Sequence, residues 1–117
     1  MGKDGYLGEF EMKVLMALVR LGSDAYGMTI RREIAERTGR DVSIGAIYAT
    51  LDRMEKKGYV SSHKGEATPE RGNRAKRYFK IEAPGKRALD ESWNALNNMR
   101  EGVDGITAFN VIPEYAS

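Results

Sequence analysis

The sequence predicts a domain of the α+β class, mainly α, with three helices, a two-stranded hairpin and a long fourth helix. Two observations carry this prediction. Apolar residues recur at helical spacing in four segments, and two short segments flanking a loop of turn-forming residues alternate like strands. The chain has 117 residues, which is the size of one small domain with an appended element.

The composition argues against several classes of protein. The sequence contains no cysteine, and no apolar run approaches the about 18 residues that a membrane helix requires. No basic and then apolar leader opens the chain, so we expect a cytoplasmic protein without disulfides. The single histidine, His63, has no histidine, cysteine or spaced carboxylate partner, so we expect neither an enzyme, a metal site nor a cofactor.

The first helix is predicted over residues 7–21. Val14 and Leu18 belong to its main apolar stripe, and further apolar residues, Val19 among them, extend the apolar surface around most of the circumference. We therefore expect this helix to lie at the centre of the core.

A second helix is predicted over residues 25–38. Ser23 or Asp24 is expected to cap its start, and Gly39 is expected to end it in the left-handed conformation. A link of four residues leads to the next helix, so the pair has the length and apolar pattern of a helix-turn-helix.

The third helix, which ends before Gly58, is the segment around which the rest of the chain is organised. Ser43 is placed to cap it, and its buried stripe consists of Ile44, Ile47, Leu51 and Met54. The opposite face carries Gly45, Ala46, Ala49 and Arg53. Small side chains with one guanidinium suit close approach to base edges in a major groove, although alanine is also simply the best helix former.

Two strands are predicted over residues 59–64 and 76–81, with Phe79 facing inward and Tyr78 and Lys80 facing outward. The whole chain carries a net charge of only +2, whereas the hairpin carries six cations against Glu66 and Glu70. These cations are Lys64, Arg71, Arg74, Lys76, Arg77 and Lys80. Such a loop is either a solvated tip or a phosphate-binding element, and the neighbouring helix favours phosphate contact.

The fourth helix is predicted to start near Pro84 and to be too long for the core of so small a domain. Its surplus apolar stripe predicts a homodimer interface formed by Leu89, Trp93, Leu96, Met99 and Val103. We divide the chain into residues 1–82, a DNA-binding domain, residues 83–104, a dimerisation helix, and residues 105–117, an apolar tail. The tail is expected to dock either on the body or on the partner.

The chain resembles the PadR family of bacterial transcriptional regulators over about residues 7–89. The segments that carry the resemblance are Ala25-Tyr26-Gly27, Ser43 to Tyr48 with Leu51 to Gly58, and Arg77 to Ile81 with Gly85. Two positions depart from the family pattern. Met28 stands where a tyrosine is common, and Glu82 stands where a threonine commonly caps the last helix.

The resemblance implies a winged helix-turn-helix with an added C-terminal dimerisation helix, and repression through a palindromic operator. It also implies that Tyr48 contacts a phosphate, that the basic loop is the wing, and that some members respond to a small aromatic or hydrophobic effector. Trp93 is then a candidate for the wall of an effector cavity, or else an ordinary interface aromatic.

The sequence thus predicts a transcriptional regulator that binds double-stranded DNA as a homodimer. The candidate DNA-binding residues are Ser43, Gly45, Ala46, Tyr48, Ala49, Arg53, Lys64, Arg71, Arg74, Lys76 and Arg77. The alternative is a winged helix that binds only other proteins, in which the basic loop is a solvated surface.

Overall fold

The computed structural model describes residues 5–66 and 75–103. This part of the chain contains four α-helices, a 3-10 turn at Gly22–Asp24 and one antiparallel sheet of two strands. The elements are α1 (Glu9–Leu21), α2 (Gly27–Thr38), α3 (Ile44–Lys56), β1 (Val60–Lys64), β2 (Arg77–Ile81) and α4 (Ala83–Arg100). The predicted fold class, α+β and mainly α, is confirmed.

Helix α1 is central to the core, as predicted, because it packs against the other three helices and β2. Val14 and Leu15 on α1 are fully buried. Val19 was expected on its extended apolar surface, but it is exposed. The apolar surface of α1 is therefore narrower at its C-terminal end than the sequence indicated.

The segment before α1 ties this helix to α4. Leu7 lies outside the helix, which begins two residues later than predicted, yet it is buried. Its backbone N–H donates to the Ser92 hydroxyl on α4 over 2.8 Å. The Glu11 carboxylate accepts the N–H of Gly8 over 2.9 Å and so closes the start of α1.

Helix α2 begins later than the sequence predicted. The Tyr26 N–H donates to the Thr29 hydroxyl over 2.9 Å, and Tyr26 is the capping residue. Both predicted caps lie in the turn Gly22–Asp24, so that prediction is wrong. The physical reason is a contact with the sheet: the Phe79 N–H donates to the Ala25 carbonyl over 2.9 Å and holds this segment extended.

The turn between α2 and α3 follows the sequence prediction. Gly39 is left-handed, with φ of 74°, and the Ser43 hydroxyl accepts the Ala46 N–H over 3.0 Å as the cap of α3. Arg31 also donates two hydrogen bonds to Asp41, of 2.8 and 3.0 Å. These bonds, together with the positive charge, hold the pKa of Asp41 below its usual value.

Helix α3 buries Ile47, Leu51 and Met54 completely. Ile44, the fourth member of the predicted stripe, is only half-buried because it lies at the edge of the core. Gly58 follows the helix with φ of 81°, which is the left-handed conformation expected at this position.

Strands β1 and β2 pair from Val60 with Ile81 to Lys64 with Arg77. Phe79 is buried and Lys80 is exposed, as predicted. Tyr78 was expected to face solvent, but it is half-buried because its ring meets the edge of another aromatic ring, that of Tyr26, at a centroid distance of 5.4 Å.

Helix α4 joins the sheet through its first turn. The Glu82 N–H donates to the Tyr59 carbonyl over 2.8 Å, and the Glu82 carboxylate accepts the Ser61 hydroxyl over 2.5 Å. Glu82 therefore ties β1 to α4 instead of capping the helix with its side chain. Gly85 passes so close to Tyr59 that a β-carbon there would lie 2.9 Å from the Tyr59 carbonyl carbon.

The first half of α4 belongs to the same core as the preceding elements, since Ala88, Leu89 and Ser92 are buried. The predicted boundary between residues 82 and 83 is thus a change of element and not of core. The predicted tail, residues 105–117, lies outside the described residues.

Candidate nucleic-acid interface

The face of α3 that points away from the core is exposed. We call it the open face, and it consists of Gly45, Ala46, Ala49, Asp52 and Arg53. Ser43, at its N-terminal end, is also exposed. The structure therefore brings the predicted reading residues of α3 together on one surface.

Gly45 is the least obstructed position of the open face. A β-carbon at Gly45 would have the Ser43 hydroxyl oxygen, 4.0 Å away, as its nearest neighbour. Glycine in a helix costs about 0.5–1 kcal/mol relative to alanine, and no packing inside the chain requires it here. The position is thus open to a large external surface.

Arg53 is the longest donor on the open face, and its side chain is 57% exposed. Its guanidinium donates to the Thr50 hydroxyl over 3.3 Å and lies 4.0 Å from the Glu11 carboxylate on α1. An ion pair of this length and exposure contributes little stability, so it holds Arg53 only weakly.

Tyr48 is half-buried at the junction of α2, α3 and β2. Its ring lies 6.1 Å from the Phe79 ring, centroid to centroid. A β-carbon at Gly27 would lie 2.6 Å from the Tyr48 hydroxyl oxygen, so Gly27 is required for this contact. The tight fit places the Tyr48 hydroxyl at the start of α2.

A groove of about 430 Å³ runs between the starts of α2 and α3 and the base of the hairpin. It brings the predicted residues Tyr48, Lys76 and Arg77 together with four residues that sequence reasoning did not assign to the interface. These four are Tyr26, Met28, Arg32 and Ile44. The Lys76 ammonium lies 3.9 Å from the centroid of the Tyr26 ring, a cation–π contact that holds this cation over the groove.

We call the hairpin of β1 and β2, residues 60–81, the wing. Lys64 at the end of β1 is exposed. Arg71 and Arg74 lie outside the described residues. Within the described part of the wing, therefore, the cations on its surface are at its base.

Arg77 differs from the other wing cations because carboxylates of α3 surround it. Its guanidinium lies 3.2 Å from the Asp52 carboxylate and donates to the Glu55 carboxylate over 2.7 Å. Sequence reasoning missed both carboxylates. The available signal was the position of Asp52, two helical turns after Gly45 and so on the open face.

The predicted dimer residues divide into two groups. Leu89 is 6% exposed and packs in the core of its own chain, so it has almost no surface left for a partner. The others remain accessible at 43%, 52%, 78% and 42%, and we call them the α4 stripe: Trp93, Leu96, Met99 and Val103.

Two further classes of site were searched in the described residues. No helix there is long and apolar enough to cross a membrane. Residues 5–66 and 75–103 also contain no cluster of three or more histidine, cysteine or carboxylate side chains that could hold a metal ion.

Comparison with known proteins identifies the fold. The transcriptional regulator PadR-like family matches residues 14–91, which is more than half of the chain. No curated protein matched the sequence.

Several solved structures are similar. A PadR-like transcription factor from Bacteroides fragilis is 23% identical, with a TM-score of 0.69 over 83% of this chain and 88% of that chain. A PadR-like regulator from Bacillus cereus is 20% identical, with a TM-score of 0.67 over 83% and 89%. A transcriptional regulator from Thermoplasma acidophilum is 23% identical, with a TM-score of 0.67 over 84% and 89%. The predicted winged helix-turn-helix is thereby confirmed.

Proposed function

Because the chain belongs to the transcriptional regulator PadR-like family, we propose that it binds double-stranded DNA and represses transcription from a palindromic operator as a homodimer. One observation carries this proposal: the exposed, almost side-chain-free surface of α3 lies beside a groove and a wing that hold cations. Acting on genomic DNA places the protein in the cytoplasm.

In this proposal α3 enters the major groove with its open face toward the bases. Gly45, Ala46 and Ala49 allow close approach, and Arg53 leaves its long contact with Glu11 to reach a base edge. A guanine is the expected target, because a guanidinium can donate two hydrogen bonds to its O6 and N7 atoms.

The groove and the wing contact phosphates on either side of α3. Tyr48, Arg32 and Lys76 line the groove, and Lys64 extends the basic surface along the wing. Ser43 presents its hydroxyl at the start of α3, where the helix dipole also favours a phosphate. Arg71 and Arg74 are assigned to the same phosphate contacts from their sequence position alone.

Salt titration of duplex binding tests the proposal. We expect the logarithm of the binding constant to fall steeply with the logarithm of salt concentration, because each neutralised phosphate releases counterions. Lys64→Ala should reduce this slope by about 0.9 for each protomer that contacts the duplex. Fluorescence anisotropy of a labelled duplex measures both quantities.

The matched control is Arg87→Ala, which removes an exposed cation from α4. It should leave the slope unchanged, because α4 faces away from the duplex in the proposed complex. A wild-type protein that binds no duplex, or binds with a flat slope, would contradict the proposal and favour a winged helix that binds proteins.

We further propose that the α4 stripe forms the dimer interface and that Trp93 forms one wall of an effector cavity between the protomers. Trp93 is 43% exposed in the single chain, so a partner or a flat ligand can cover it. An effector would release DNA by binding one spacing of the α3 helices more tightly than the other.

Trp93 is the only tryptophan, so its fluorescence reports on this cavity. Titration with a panel of planar aromatic compounds should quench the emission saturably for at least one member. The same compound should lower the affinity for DNA by a linked factor. Quenching without a change in DNA affinity, or no quenching by any compound, would show that Trp93 is only a packing residue.

A further inference from the structure

Asp52, Glu55 and Arg77 form a charge cluster between α3 and the wing, which we call the clamp. The guanidinium of Arg77 contacts Asp52 at 3.2 Å and Glu55 at 2.7 Å, and it lies 4.7 Å from the centroid of the Phe79 ring. The other oxygen of Glu55 accepts the Ser62 hydroxyl over 2.9 Å. The clamp thus joins α3 to both strands of the wing.

The clamp changes the charge that approaching DNA meets. Two carboxylates surround one guanidinium, so the cluster carries a net negative charge at neutral pH. Asp52 lies on the open face itself, and its side chain is 53% exposed. A phosphate beside this part of α3 therefore meets a carboxylate first, and Arg77 already has two anionic partners.

We propose that the clamp determines specificity by withholding Arg77 from phosphates and by placing a carboxylate on the reading surface. This inference rests on the proposed DNA-binding function. Phosphate contacts contribute to binding of any duplex, whereas base contacts distinguish sequences. An arginine held by two carboxylates lowers the sequence-independent part of the affinity and leaves discrimination to the open face.

Isosteric neutralisation of both carboxylates isolates this effect. In Asp52→Asn with Glu55→Gln, carbonyl oxygens can still accept from Arg77 and Ser62, so the wing remains attached while the charges are lost. We expect the variant to bind a random duplex about tenfold more tightly, with a salt slope steeper by about 0.9 per protomer because Arg77 gains a phosphate. The ratio of operator affinity to random-duplex affinity should fall.

The operator for this measurement is the sequence that the wild-type protein enriches from a random duplex library. Adding Arg77→Gln to the doubly neutralised variant should return the slope to the wild-type value, because the released cation is then absent. The matched control is Glu36→Gln with Glu91→Gln, which removes two exposed carboxylates from α2 and α4 and should leave the ratio unchanged. Thermal melts confirm that each variant is folded.

Asp52→Asn alone keeps the experiment decisive if the double variant is unstable, because the Glu55 contact with Arg77 remains. It should shift random-duplex affinity and slope in the same direction, by less. An unchanged slope in the neutralised variants, or a steeper slope that persists after Arg77→Gln, would overturn the inference while the proposed function stands. A wild-type protein that binds no duplex would overturn both.

Discussion

Gly85→Ala should reduce the free energy of unfolding by about 3 kcal/mol or more, one of the largest effects expected of a single methyl group. The added β-carbon would lie inside van der Waals distance of the Tyr59 carbonyl oxygen and 3.1 Å from the Ile81 side chain. The same carbonyl accepts the Glu82 N–H over 2.8 Å, so moving it away would break the bond that joins the sheet to α4. Chemical denaturation followed by circular dichroism measures the loss.

The matched control is the same substitution at Gly45, near the start of another helix. A β-carbon there has no neighbour closer than 4.0 Å, so Gly45→Ala should stabilise the protein by about 0.5–1 kcal/mol. If Gly45 serves close approach to DNA, the more stable variant should also bind duplex more weakly. A Gly85→Ala protein as stable as the wild type would show that α4 does not need its close contact with Tyr59.

Features that depend on residues close together in the chain were predictable from the sequence. The cap at Ser43 and the left-handed Gly39 both depend on contacts within four residues. The open face of α3 followed from helical geometry, because residues separated by three, four or seven positions share a side. The resemblance to a family added the wing and the order of the elements.

Features that depend on distant partners were not predictable in the same way. The extended start of α2 arises because Ala25 bonds to Phe79, far along the chain. Arg77 looked like one more basic wing residue, since its two carboxylate partners lie on α3, across the register of the fold. Leu89 had the spacing of the α4 stripe, but contacts with the core decide that it is buried.

Leu96→Asp should convert the proposed homodimer into a monomer. Leu96 is 52% exposed in the single chain and lies between Trp93 and Met99 on the α4 stripe. In a twofold interface each copy would bury an unpaired carboxylate, and removing such charges from water costs about 3–5 kcal/mol. The dissociation constant should therefore rise by more than about 100-fold, measured by analytical ultracentrifugation.

The matched control is Asn94→Asp, which adds the same charge to α4. Asn94 lies two residues before Leu96 and so about 200° around the helix, on the side away from the stripe. It is exposed, and its substitution should leave the dimer intact. A wild-type protein that sediments as a monomer at micromolar concentration would contradict the interface.

Loss of the dimer should also change DNA binding in a defined way. A twofold dimer places its two α3 helices about 34 Å apart, or a multiple of this distance, on a palindrome. The Leu96→Asp monomer should keep a folded open face and wing but contact only one half-site. Its salt slope should therefore be about half that of the wild type, because half of the phosphate contacts remain. An undiminished slope in a proven monomer would mean that one protomer makes all the contacts, and the palindromic arrangement would then be wrong.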